Sequence, residues 1–152
     1  MAHAAEAMTQ AHAADTYDLQ RFVNAQQPVY AQVCAELRAG RKRTHWMWFT
    51  FPQMSGLGHS SMAEHFGIAS LDEARAYAAH PVLGARLREC CILLLQLESS
   101  SASVIFGFPD DLKLRSSMTL FARAALDEAT FRQVLEKFFS GEEDAATLRL
   151  LA

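Results

Sequence analysis

The sequence predicts an all-α fold: a compact single-domain array of about seven helices around one long buried helix. Three observations carry this. Apolar residues recur at i, i+3 and i+4, the period of a helix face, in segment after segment. Gly, Pro and capping residues punctuate the chain roughly every ten to twenty residues. A single run has strand-like composition, and it has no second run to pair with.

The elements follow in order. Residues 1–14 are Ala-rich, with no basic start and no continuous apolar stretch, so they predict a flexible lead-in rather than a signal peptide. The single helical domain is expected over 15–152. Leu19, Phe22 and Val23 mark a first helix with Asp18 as its cap. Pro28 suits the start of the next, which carries Tyr30, Val33, Cys34 and Leu37 and stops at Gly40. His45-Trp46-Met47-Trp48-Phe49-Thr50-Phe51, closed by Pro52, is helical or irregular, and 52–59 is a loop. Ser61-x-x-Glu64 and Ser70-x-x-Glu73 match the capping box and open two helices. His80 fits the end of the second through the helix dipole. From Pro81, a helix carries Leu83, Leu87, Cys90, Cys91, Leu94 and Leu97 on one stripe, with Ile92, Leu93 and Leu95 on its other sides. Apolar all round, it is the expected central helix. Pro109 sets a helix over about 109–125, Asp127 caps one ending at Gly141, and Asp144 starts a terminal turn.

Composition bounds function. The chain of 152 residues is 51% hydrophobic and 20% charged, an ordinary soluble domain that can bury roughly 68–70% of its unfolded surface. Fourteen basic and 17 acidic residues give a net charge of −3, so nucleic acid is not an expected partner. The longest apolar run, Cys90 to Leu95, is far short of a membrane span, and no membrane partner is expected. Cys34, Cys90 and Cys91 are odd in number and lack C-x-x-C spacing. They read as buried free thiols of a cytoplasmic protein. His59 and His65 do not have metal-ligand spacing, and neither metal nor cofactor is expected. Composition leaves oligomeric state open.

Two segments could carry a site. In the first, Arg41-Lys42-Arg43 precedes His45, Trp46 and Trp48, with Gln53 closing the run. Cations beside stacking platforms suit a nucleotide or single-stranded nucleic acid, whereas such density of aromatics more simply fills a core. His45 is the candidate for general acid–base work, and the indoles of Trp46 and Trp48 for a stacking wall. In the second, Asp110, Lys113 and Ser117 share one helix face, beside Leu114, Met118 and Phe121. Among such neighbours the Lys113 ammonium must find a carboxylate or stretch to water. Either Asp110 and Lys113 form a local pair, or Lys113 and Ser117 floor a pocket with Arg115 or His45 nearby. The pocket suits an anionic small molecule.

These runs also carry a resemblance. His45-Trp46-Met47-Trp48-Phe49-x-Phe51-Pro52-Gln53, Leu71-x-Glu73-Ala74-Arg75-Ala76-Tyr77, His80-Pro81-x-Leu83-Gly84-x-Arg86-Leu87 and 110–121 together resemble the bacterial family of domain of unknown function 1810. The resemblance spans about 15–151 and implies an all-helical array, without implying an activity. Some members carry the label calpastatin. Calpastatin-type inhibition uses disordered repeats, and this chain is non-repetitive, so the label does not transfer. The resemblance also suggests an analogy with helical proteins of similar size that handle ADP-ribose-like metabolites. The expected function is a binding or adaptor-type module without demonstrated catalysis. The alternative is a binding protein or enzyme that takes a nucleotide or ADP-ribose-like anion in a Trp/His/Lys pocket.

Overall fold

Helix starts in this chain are set largely by side chains that accept the free N–H groups of a first turn. The computed structural model describes residues 15–152, and the expected lead-in over 1–14 lies outside them. Among the described residues there are ten helices and one isolated parallel bridge, Met54 with Ile68. Helix α1 (Gln20–Gln26) is preceded by Asp15, whose carboxylate accepts the N–H of Leu19 at 2.5 Å and of Gln20 at 3.2 Å. Asp18, the expected cap, instead turns the chain at φ 51°. Helix α2 (Tyr30–Ala39) ends on Gly40 at φ 73°, as expected of a glycine in that place. Helix α3 (Met47–Thr50) is a single turn.

Ser60, one residue before the expected cap, starts α4 (Ser61–His65). Ser70 caps α5 (Leu71–Ala79) by accepting the Glu73 N–H, while Glu73 reaches back to the N–H of Ala69. His80 differs from its expected role. Its Nδ1 accepts the N–H groups of Val82 and Leu83 at 3.1 and 3.2 Å, so it opens α6 (Leu83–Gln96) instead of favouring the end of α5. Burial lowers its pKa, which favours the neutral, accepting ring. Ser101 caps α7 (Ala102–Phe106), and α8 (Asp110–Ala124) follows. Helix α9 (Thr130–Phe139) starts after Ala129, without the expected Asp127 cap, and stops on Ser140 at φ 54°. Asp144 caps α10 (Ala145–Leu151) through Thr147.

The central helix is α8, where the sequence pointed to α6. Helix α8 packs on α5, α7, α9 and α10, and every residue from Ser116 to Ala122 is buried. Helix α6 packs on α2, α5 and α9 and leaves Ile92 48% exposed. Apolar count misjudged the two. A single exposed Ile is tolerated at a surface. Small hydroxyl residues can be buried inside a helix by bonding back along it, as Ser116 does to the Leu112 carbonyl at 3.2 Å and Thr119 to that of Arg115 at 2.8 Å. The helix count exceeds the expected seven because α3 and α7, too short for a period to show, are helical, and the expected terminal turn is the helix α10.

Aromatic rings join the elements. Phe49, Phe66, Phe22, Tyr77, Phe121 and Phe131 follow one another with centroids 5.1–5.7 Å apart, from α3 through α1, α5 and α8 to α9. Each such pair contributes about 0.5–1.5 kcal/mol beyond its buried area.

Candidate functional site: the Trp48–Lys113 recess

The aromatic run is pinned from behind. Glu36 of α2, 3% exposed, accepts the N–H of Arg43 at 2.6 Å, the N–H and hydroxyl of Thr44 at 3.0 and 2.6 Å, and the indole N–H of Trp46 at 3.1 Å. Trp46 is thereby drawn into the core, where its ring meets Phe51 and Phe106, each at 6.3 Å. Gln26 donates to the Phe49 carbonyl at 2.7 Å and fixes the far end of α3. Pro52 stops the turn, since the residue before a proline is driven out of the helical region, and Phe51 lies at φ −121°, ψ 72°. Met47, Phe49, Thr50 and Phe51 face inward, and Trp48 is left half-buried at the surface.

Trp48 forms one wall of a small recess. Its other lining residues are Met47, Phe51, Gln53, Ala63, Phe66 and Lys113, and its interior has about 10 Å³ of room, enough for one water-sized sphere. Lys113 stands with Nζ 5.5 Å from the centre of the Trp48 ring and 3.3 Å from Asp110 Oδ1. Asp110 Oδ2 meets Lys42 Nζ at 2.9 Å, and Lys42 lies 5.2 Å from the Trp46 ring centre. One carboxylate thus sits between two ammonium groups, each over an indole, with net positive charge. Such cation–π pairs contribute about 0.5–2 kcal/mol, most where water is excluded.

The structure brings Trp48, Gln53 and Lys113 around the recess, with Asp110 holding the lysine. Trp46 supports from behind and does not line it. His45 is exposed and lines no part of the recess, and among the described residues it makes no hydrogen bond, so nothing joins it to Lys113. Arg115 faces away, 3.9 Å from Glu142 and 3.8 Å from Asp144, because two residues turn a helix through about 200°. Ser117 shares the azimuth of Lys113, yet α8 has by then passed under its neighbours. Its hydroxyl is fully buried and unpartnered among the described residues. Lys42 was missed by sequence reasoning. Its exposure alternates with that of its neighbours: Arg41 and Arg43 are exposed, and Lys42 between them is half-buried.

Among the described residues, no three or more His, Cys, Asp or Glu stand together to hold a metal, and no helix is long and apolar enough to cross a membrane. Comparison with curated proteins finds no match. Among solved structures, the conserved hypothetical protein Rv1873 from Mycobacterium tuberculosis is similar, with a TM-score of 0.88 and 57% identity over 90% of this chain and 98% of that one. Residues 16–151 match the family described as "Protein of unknown function (DUF1810)", which takes in the aromatic run, the recess and the whole helical array; the chain belongs to that family.

Proposed function

We propose that this protein is a binding module, and that the Trp48–Lys113 recess receives a compact acidic group carried on a flat apolar body. The observation that carries the reading is the placement of a half-buried indole and a partly neutralised ammonium on one small apolar concavity. Lys113 is the one charged side chain in the lining, which supports binding rather than proton transfer as its work. The room available suits the edge of a ring or a single acidic substituent, with the rest of the ligand lying outside along Trp48. Nucleic acid is not among the proposed ligands, in keeping with the net charge of −3. The reading includes a bacterial cytosol, supported by three free, buried cysteines and by the mycobacterial relative.

The test is thermal shift of the full chain against aromatic carboxylates, nucleotides and ADP-ribose. A binding member raises the melting temperature, by the equivalent of about 2.7 kcal/mol at a hundredfold excess over its dissociation constant. Lys113→Ala and Trp48→Leu both remove the shift while remaining folded. A panel without a single shift, or a shift that survives both substitutions, removes the proposal.

A further inference from the structure

The opposite end of α8 carries a second concavity. Arg123 lies ten residues beyond Lys113, about 15 Å along the helix axis, and borders a groove of about 430 Å³. That volume lies in the range of pockets that take small molecules. Leu71 of α5, Leu126 of the turn after α8, Leu148 and Leu151 of α10 and the adjoining Ala152 form its apolar part, with Arg75 and Arg123 alongside. Leu126 is 68% exposed, beside three half-buried leucines. Leucines gathered around an open concavity leave apolar surface in water that a ligand can cover.

The two guanidinium groups define what the ligand must carry. Glu143 accepts from Nε and Nη2 of Arg123, both at 2.8 Å, which leaves Nη1 with its donors. Asp72 accepts from Nη1 of Arg75 at 3.3 Å, which leaves Nε and Nη2. Both arginine side chains are about half exposed, so these donors are within reach of a ligand. Planar donors at the edge of a leucine groove match a carboxylate head on an aliphatic tail. Four leucines are few against the roughly 20–30 residues a side that a stable protein interface takes. We propose that this groove binds a medium-chain aliphatic carboxylate, its tail along Leu71, Leu126, Leu148 and Leu151 and its head at Arg75 and Arg123.

The experiment is calorimetric titration of the full chain with hexanoate, octanoate, decanoate and 1-octanol. Octanoate saturates at one per chain, and affinity rises about fourfold for each added methylene. Loss of the charged head weakens 1-octanol by about tenfold relative to octanoate. Arg75→Gln weakens octanoate by a similar factor and leaves 1-octanol unchanged. Leu126→Asp, a change at an exposed position, abolishes both while the melting temperature holds. The proposal is overturned by any of four results: no saturable binding, equal affinity for the acid and the alcohol, octanoate binding that survives Leu126→Asp, or a concentration-dependent dimer that Leu126→Asp dissolves. The last result would assign the groove to a second copy of the chain.

Discussion

Glu36 accepts five hydrogen bonds on two oxygens: those from Arg43, Thr44 and Trp46 already described, and one from Gln32 at 3.0 Å. Burial pushes its carboxyl pKa up, but the Thr44 hydroxyl, the N–H groups of Arg43 and Thr44, and Gln32 outweigh burial and hold it at about 2, against an ordinary 4.5. A folded value below the unfolded one stabilises fully above pH 4.5 and is lost as pH falls through 4.5 towards 2. Urea unfolding should therefore show on the order of 3 kcal/mol lost by pH 2 from this group. Glu36→Gln flattens that slope and costs about 2–3 kcal/mol at neutral pH, because the amide turns a donor towards donors. Cys34 is the second residue with distinctive chemistry. The neighbouring Cys90 thiol, together with the Tyr30 hydroxyl, pulls its pKa down against burial and the Glu89 carboxylate. Its Sγ lies 3.6 Å from Glu89 Oε1. The proximity of Cys34, with burial, pushes Cys90 well up, and burial raises Cys91. Iodoacetamide near neutral pH should thus alkylate Cys34 first, with Cys90 and Cys91 modified only on unfolding, as peptide mass mapping would show. Equal labelling of all three in the folded protein contradicts the assignment.

Helix ends are the next scale, and here distant side chains finish what local sequence leaves open. Lys137 of α9 donates to the carbonyls of Leu94 at 3.0 Å, Leu95 at 3.1 Å and Leu97. An ammonium at the C-terminal end of α6 satisfies carbonyls that lack helical partners and complements the dipole. Lys137→Met keeps the apolar stem and removes only the donors. It should lower stability by about 2 kcal/mol in denaturant unfolding, with faster hydrogen exchange at the end of α6. A change below about 0.5 kcal/mol, the range of an ordinary surface substitution, would mean that water serves those carbonyls equally well. Arg21 works in a similar way: it donates to the carbonyls of His65 and Gly67 and pairs with Glu73 at 2.9 Å, tying α1 to the end of α4, the turn after it and the start of α5.

On the scale of the whole molecule, α8 is the element that the others share. Phe121 is fully buried there, with Tyr77 at 5.2 Å and Phe131 at 5.7 Å, whereas Ile92 of α6 leaves about half of its surface to water. Phe121→Ala should cost about 3–5 kcal/mol through the cavity it leaves, and Ile92→Ala about 0.5 kcal/mol. The order is read by chemical denaturation. A larger loss at Ile92 than at Phe121 would return α6 to the centre. The same helix joins the two concavities, with the lysine recess at its start and the leucine groove at its end. A helix packed on four sides holds both ends at a fixed distance.

The sequence by itself determined the fold class, most helix positions and the stops at Gly40 and Pro52, and it offered the Asp110–Lys113 pair as one of two readings. All of these depend on neighbours a few residues apart, where periodicity and capping chemistry act. The reach of Glu36 to Trp46, Lys42 to Asp110 and Lys137 to α6 joins different elements, so only the tertiary structure decided it. The same holds for Ser117, Arg115 and His45. A helical wheel gives direction around an axis, but not how deeply that part of the axis is buried or which neighbour covers it. Packing set that depth, burying the hydroxyl of Ser117 and leaving Lys113, one turn earlier, at the edge of the recess.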